Sequence, residues 1–180
     1  MERPLPRHRS KVRGIAGRQR AAVRAALSGG ADTAITVWAD KAKYSFWRPI
    51  TAIREAGSDG NARTGADPSW LPLVNTPPYP EMPSGLSSLS GASARTLEDF
   101  FGTDRFAFGT TNAIGTRTYS SFSQAEEEVI DARVWSGIHF RRADEQGAAI
   151  GERVARWQQR RFLRPDDDGC DHDGDARNRR

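Results

Sequence analysis

The sequence predicts an all-α domain, a helical bundle with long inserted loops. Stretches whose apolar residues recur at three- and four-residue steps alternate with glycine- and proline-rich connections. Thr103 to Phe122 is glycine- and threonine-rich with scattered aromatics, a pattern that suits a loop or a short hairpin better than a helix. At 180 residues, the chain can bury one core but hardly two.

From Met1 to Arg24 there are eight Lys or Arg against one Glu, so residues 1–20 are expected to be a solvated basic arm. Ala21 to Leu27 is helix-prone but short, and Gly29-Gly30 is expected to end it. Asp32 then caps a helix over "TAITVWADKAKYSFW", with Ile35, Trp38, Ala42 and Phe46 as its apolar positions. Arg48-Pro49 closes that helix, because proline disfavours helix in the residue before it. Gly57 to Met82 has no lasting period and reads as a long connection, of a length that is commonly functional. Ser87 to Phe101 reads as a helix stopped by Gly102, with Ser90, Gly91 and Ala94 small enough for close packing. "SQAE", Ser123 to Glu126, reads as a capping box launching a helix that carries Val129, Ala132 and Arg133. From Arg141, one apolar stripe of Ala143, Gly147, Ile150, Gly151, Val154 and Trp157 takes a last helix to about Leu163. The helical domain is therefore placed at 21–164, and residues 165–180 are expected to be a disordered acidic tail.

The formal net charge of +4 sits in the arm, is partly offset by the tail, and leaves the body of the chain neutral. The arm has no aromatic platform for base stacking, which argues against nucleic acid as a partner. No run approaches the ~18 apolar residues of a membrane span. The basic start is followed by no apolar signal region, so the chain as written is expected in the cytoplasm, and exported only if its true N-terminus is missing. The single Cys170 forms no internal disulfide. "DDDGCDHDGD" fails as a calcium loop, since its first ligand position falls on Gly169.

Three places put cationic or oxyanion-binding groups near predicted helix ends. Lys41 and Arg48 are seven apart, near two helical turns and so roughly on one face. In "PSGL", Ser84 offers a hydroxyl, Gly85 lets backbone come close, and the following helix presents free N–H groups with its positive dipole end. Arg133 lies on a helix, with His139 just beyond Gly137. Arginine suits forked bonding of an oxyanion, lysine point-charge neutralisation, and histidine nucleophilic attack or a metal bond. Taken singly, each reads as well as a solvated face, a turn or a structural histidine.

Together, Lys41/Arg48-Pro49, Pro83-Ser84-Gly85-Leu86 and Arg133/His139 resemble the three-part signature of vanadium-dependent haloperoxidases and type 2 phosphatidic acid phosphatases. The surrounding "FWRPITAIR", "YPEMPSG" and "ARVWSGIHFRRADEQG" are more similar to the bacterial haloperoxidase-like proteins, and the likeness runs from about Asp32 to Leu163. The resemblance implies a helical bundle binding vanadate, or phosphate as its analogue, with Lys41, Arg48 and Arg133 neutralising the oxyanion and Ser84 and Gly85 donating hydrogen bonds. His139 would make the axial bond to vanadium in a peroxidase that oxidises halide with hydrogen peroxide. In a soluble acid phosphatase of the same fold it would attack a phosphate ester.

The chain departs from that pattern in three ways. Leu86 stands where family members carry an acid-base histidine, a group typically worth ~10²–10⁴ in rate; Glu81 is the nearest acid in sequence, and a non-catalytic oxyanion-binding remnant is a third reading. The family's extra N-terminal helices are not represented, so the bundle is expected to be incomplete there, with an apolar face that a second copy could cover as a homodimer. Asp144 follows His139 by five residues, where phosphatase members use four to orient the ring.

Overall fold

The computed structural model describes residues 8–162, so Cys170 and the acidic tail lie outside the described residues. The elements in chain order are α1 (His8–Tyr44), α2 (Pro49–Arg54), a single 3-10 turn (Ala56–Ser58), α3 (Gly85–Phe101), a hairpin of β1 (Phe108–Asn112) and β2 (Gly115–Tyr119), α4 (Phe122–Trp135) and α5 (Arg141–Arg161). The domain is helical, as expected. Among the described residues no helix is long and apolar enough to cross a membrane.

The first helix departs most from the sequence reading. α1 begins at His8, inside the residues read as an arm, and passes through Gly29-Gly30 without a break. Those glycines are contact points instead of stops: a Cβ on Gly29 would lie 3.2 Å from Gln158 Oε1, and one on Gly30 3.6 Å from a Leu89 methyl. The buried face of α1 is Gly29, Thr33, Val37 and Lys41, four apart, whereas the predicted Ile35, Trp38, Ala42 and Phe46 are all exposed, Ile35 by 71%. Close approach selects the small and β-branched side chains over the larger apolar ones. α1 ends at Tyr44, where Ser45 takes a positive φ of 44°. Lys41 and Arg48 therefore share no helix face; Arg48 is the extended residue before α2, with Pro49 at its first turn.

α3 and α5 form the centre of the domain, and glycine sets their separation. A Cβ on Gly151 would stand 1.9 Å from Ser88 O, one on Gly91 2.4 Å from Ala148 O, and one on Gly147 2.4 Å from Ser84 O. Of the stripe predicted on α5, Ala143, Gly147 and Gly151 are buried, joined by Asp144, Ala148, Ala155 and Gln158. The bulkier half, Ile150, Val154 and Trp157, turns to the α1 side, where Val154 and Trp157 line a surface cavity with Ile35. Likewise on α3, Gly91 is the contact, while Ser90 and Ala94 face a cavity of about 380 Å³ toward α4 and the hairpin.

Of the loop or short hairpin expected after α3, the structure has the hairpin, pairing antiparallel from Phe108↔Tyr119 to Asn112↔Gly115. Its base is closed by Phe101, Phe106, Phe108 and Phe122, with the Phe106 and Phe122 rings stacked at 5.5 Å. The cap of α4 lies two residues before the predicted one: Ser121 accepts from Gln124 N, while Asp104 holds Ser123 through both its N–H and its hydroxyl. Ser121 and Gln124 carry the same three-residue spacing as the box read from sequence, so the local signal fits two registers.

The long connection carries no helix or strand between Asp59 and Ser84, yet it is tied down along its length. Asp67 N donates to Ile53 O, Arg54 Nε to Trp70 O, Leu73 N to Ser136 O and Glu81 N to Phe46 O. Gly137, at φ 74°, would place a Cβ 3.0 Å from the Trp70 ring. The loop is thereby seated on the turn between α4 and α5, which carries His139.

Candidate functional site

Elements distant in sequence bring Lys41, Arg48, Ser84, Gly85 and His139 together. Ser84 is the extended residue before α3; its N–H donates to Ala143 O at 2.9 Å and its side chain makes no capping bond. The first-turn N–H groups of α3 have no carbonyl of their own helix to bond, and the positive end of the helix dipole lies there. The space a Cβ on Gly85 would need is filled by the Trp38 ring, 2.8 Å away, with Lys41 Cε at 3.9 Å. Trp38 is half-exposed and forms one wall, packed at 5.6 Å against Tyr79.

Lys41 is buried and donates to Pro80 O at 2.8 Å and Glu81 O at 2.9 Å, leaving one of its three protons uncommitted. Arg48 is also buried. Its Nε donates to Tyr79 O, and its Nη1 donates to Ile138 O at 2.8 Å and to His139 Nε2 at 3.1 Å. Its Nη2 is buried with no partner, as is Nε of Arg133. Tyr79 lies between the cations, with Lys41 Nζ at 5.2 Å and the Arg48 guanidinium at 5.0 Å from its ring centroid.

Burial, and then the Arg48 charge, lower Lys41 from 10.5 to about 8; Arg133 adds to the lowering and the Glu81 carboxylate opposes it. Burial likewise lowers Arg48, with Arg133 contributing. Lys41 and Arg48 are lowered by burial and by neighbouring positive charge, and Arg48 and Arg133 each keep an unpaired buried N–H, so the cluster is short of negative charge.

His139 is held by a residue that sequence reasoning weighed only as a replacement acid. Glu81 is fully buried, and its Oε1 lies 2.9 Å from both His139 Nδ1 and Phe140 N. A carboxylate at Nδ1 fixes the proton there and turns the Nε2 lone pair toward Arg48. Burial lowers the His139 pKa, so the neutral ring is favoured at neutral pH, with its Nε2 accepting from Arg48 Nη1. Asp144 does not take this ring-orienting place. Its Oδ1 accepts from Ser87 Oγ at 2.7 Å and its Oδ2 has no partner; burial raises its pKa. The Ser84 hydroxyl points to Ser87 Oγ at 3.2 Å. Leu86, on the first turn of α3, is 47% exposed.

Glu81→Ala should free the His139 ring and strand the Phe140 N–H, costing about 1–3 kcal/mol of stability. Glu81→Gln, whose amide oxygen still accepts, should retain most of that stability. Denaturant unfolding measures the cost, and ¹⁵N shifts of the imidazole report whether a mixture of tautomers replaces the single one; an unchanged ring in Glu81→Ala would refute the assignment.

Among the described residues, no group of three or more His, Cys, Asp or Glu side chains is placed to hold a metal ion. The donors are cationic and hydrogen-bonding, a set for an oxyanion and not for a bare cation.

Comparison with known proteins bears on the family and the fold. The family model described as the VCPO second helical-bundle domain matches residues 22–165. Vanadium chloroperoxidase of Curvularia inaequalis is 34% identical over 80 residues, which cover 39% of this chain and 12% of that protein. The crystal structure of the first bacterial vanadium-dependent iodoperoxidase is 34% identical with a TM-score of 0.67, covering 76% of this chain and 32% of that one. A holo-type bacterial vanadium-dependent chloroperoxidase, at 20% identity and a TM-score of 0.61 over 73% of this chain and 33% of that one, shares the fold. The chain thus spans about a third of the length of these solved structures.

Proposed function

The chain belongs to the VCPO second helical-bundle domain family, and from that premise we propose that its cationic cradle binds vanadate, with phosphate as analogue, and oxidises a halide with hydrogen peroxide. The observation that carries this reading is the pair of buried, unpartnered guanidinium N–H groups, Arg48 Nη2 and Arg133 Nε, beside a lysine lowered by burial and then by their charge. A tetrahedral oxyanion supplies the acceptors and the negative charge they lack. In this reading Lys41, Arg48 and Arg133 would neutralise it, the α3 N-terminus from Ser84 and Gly85 would donate to it, and His139 Nε2 would bind it in exchange for the Arg48 N–H. Bound vanadate would supply the activation of peroxide toward halide. The protein's share is fixed charge in a dry site, which costs no reorganisation at the moment of reaction.

A soluble phosphatase is the second reading, favoured by the neutral His139 with Nδ1 anchored on Glu81 and its lone pair on Nε2, which exchanges the Arg48 N–H for phosphorus when it attacks. That is the state a nucleophilic histidine requires. The domain at 21–164, and a homodimer that covers the exposed Ile35 and Trp157, belong to the same proposal.

Calorimetric titration with vanadate and with inorganic phosphate tests the reading. Affinity should fall at least roughly tenfold as pH rises through about 8, where Lys41 loses its proton, the worth of about one charge-assisted hydrogen bond. Stability of the ligand-free chain should move the other way. The unfolded chain binds more protons between about 8 and 10.5 because folding lowers this lysine, so stability rises with pH across that interval. Failure of both anions to bind near neutral pH would end the proposal. Bromination of an acceptor dye with peroxide and bromide, faster in Leu86→His, marks the peroxidase; a trapped phospho-histidine at His139 marks the phosphatase; binding without turnover marks a remnant.

A further inference from the structure

We propose that Asp144, Ser87 and Ser84 form a buried relay that exchanges a proton with an oxyanion held in the cradle, replacing the acid-base side chain that Leu86 cannot supply. The inference rests on the oxyanion reading of the site and extends it to residues without an assigned role in proton transfer.

The three side chains are fully buried and form a continuous file: Ser84 Oγ to Ser87 Oγ at 3.2 Å, then Ser87 Oγ to Asp144 Oδ1 at 2.7 Å. One end of the file is the residue that opens α3, where the first-turn N–H groups face the cradle. The other end is a carboxyl whose Oδ2 has no partner. The flank is sealed, because Gly147 lies against Ser84 O so closely that a Cβ there would sit 2.4 Å from it. An unpaired carboxyl oxygen in a dry site favours the protonated acid, and burial raises the Asp144 pKa accordingly. The charged and titratable groups facing it are His139 from the α4–α5 turn and Glu81 from the long loop, with Lys41 from α1. Ser84 and Ser87 face it from α3.

The transfer balances without a co-reactant. In the structure Ser84 donates to Ser87 and Ser87 to Asp144 Oδ1; once both hydroxyls turn toward the cradle and the acid proton is on Oδ1, Asp144 gives it to Ser87 Oγ as Ser87 passes its own to Ser84 Oγ and Ser84 passes its own to an oxygen of the bound anion. Each serine loses one proton and gains one. One unit of negative charge moves from the anion to Asp144, near the Lys41 ammonium. Rotation of the two hydroxyls reverses the file and returns the proton.

Difference infrared spectroscopy of the full chain, recorded on adding inorganic phosphate, tests this apart from turnover. Wild type should show a protonated-carboxyl band that is absent in Asp144→Asn and is lost when phosphate binds. Ser87→Ala should bind phosphate yet keep the band. Should Ser87→Ala fail to fold, the wild-type and Asp144→Asn spectra still decide, because the acid band must be present before phosphate and gone after it. An ionised Asp144 in the phosphate-free wild type, or a band that responds equally in Ser87→Ala, would overturn the relay while leaving the oxyanion site standing. Wild type that binds no phosphate would overturn both.

Discussion

Replacing Arg48 with Gln should weaken phosphate and vanadate binding by roughly 30-fold to several thousand-fold. Removing one partner of a buried, hydrogen-bonded charge pair costs about 2–5 kcal/mol, and each 1.4 kcal/mol is tenfold. The guanidinium spends its Nε and Nη1 on Tyr79 O, Ile138 O and His139 Nε2, which aims the remaining Nη2 without a protein acceptor. Arg48→Lys should fall between, since an ammonium keeps the charge but cannot hold these partners as a planar fork does. Arg133→Gln separates binding from folding: its Nε has no partner in the ligand-free protein, so affinity should drop with little loss of stability. Calorimetry on both single variants and the double variant measures the coupling. Two arginines on one anion should be non-additive, and strict additivity would place them on different ligands.

What was legible in the sequence depended on how locally each feature is determined. Gly102 stops α3 at a left-handed φ of 70°, an outcome one residue's backbone decides. The hairpin, too, is one of the two outcomes, loop or short hairpin, that its glycine- and threonine-rich composition allows. Gly29-Gly30 misled because the same residue type serves as a helix stop or as a contact surface, and only the presence of Gln158 and Leu89 across the gap selects the second. Once α1 runs through, its inward face is set by how near α3 can come. Lys41 then points inward while Ile35 and Trp38 point out, against the hydrophobic pattern.

The candidate site divides the same way. Motif spacing pointed to Lys41, Arg48, Ser84, Gly85, Arg133 and His139 without any knowledge of the packing. Glu81 was illegible as the partner of His139, because a carboxylate in a proline-rich loop normally reads as solvated. Its burial depends on Phe46 O receiving its N–H and on the loop lying over the α4–α5 turn. Asp144 was visible only as a departure from the family's spacing. From its place on α5 it reaches Ser87 on α3, and the ring-orienting place is already filled by Glu81.

Gly151→Ala should cost at least about 3 kcal/mol of folding stability, the upper end of ordinary overpacking. The new Cβ would meet Ser88 O at 1.9 Å and Ala92 N at 2.7 Å. Both atoms are backbone of α3, so no side-chain rotation relieves the contact and the two helices must part. Against this stands the higher helix propensity of alanine, worth up to about 1 kcal/mol, which is too small to offset it. Gly30→Ala isolates that favourable part: it lies within α1 and its Cβ would meet only a Leu89 methyl at 3.6 Å. The same substitution there should stabilise by up to about 1 kcal/mol. Urea unfolding of the two variants should move the midpoint in opposite directions, and a Gly151→Ala chain as stable as wild type would mean that α3 and α5 are not held at this spacing. Gly147→Ala adds the functional consequence. Its Cβ would press on Ser84 O at 2.4 Å, so even a variant that folds should displace the opening of α3 and lose phosphate affinity along with stability.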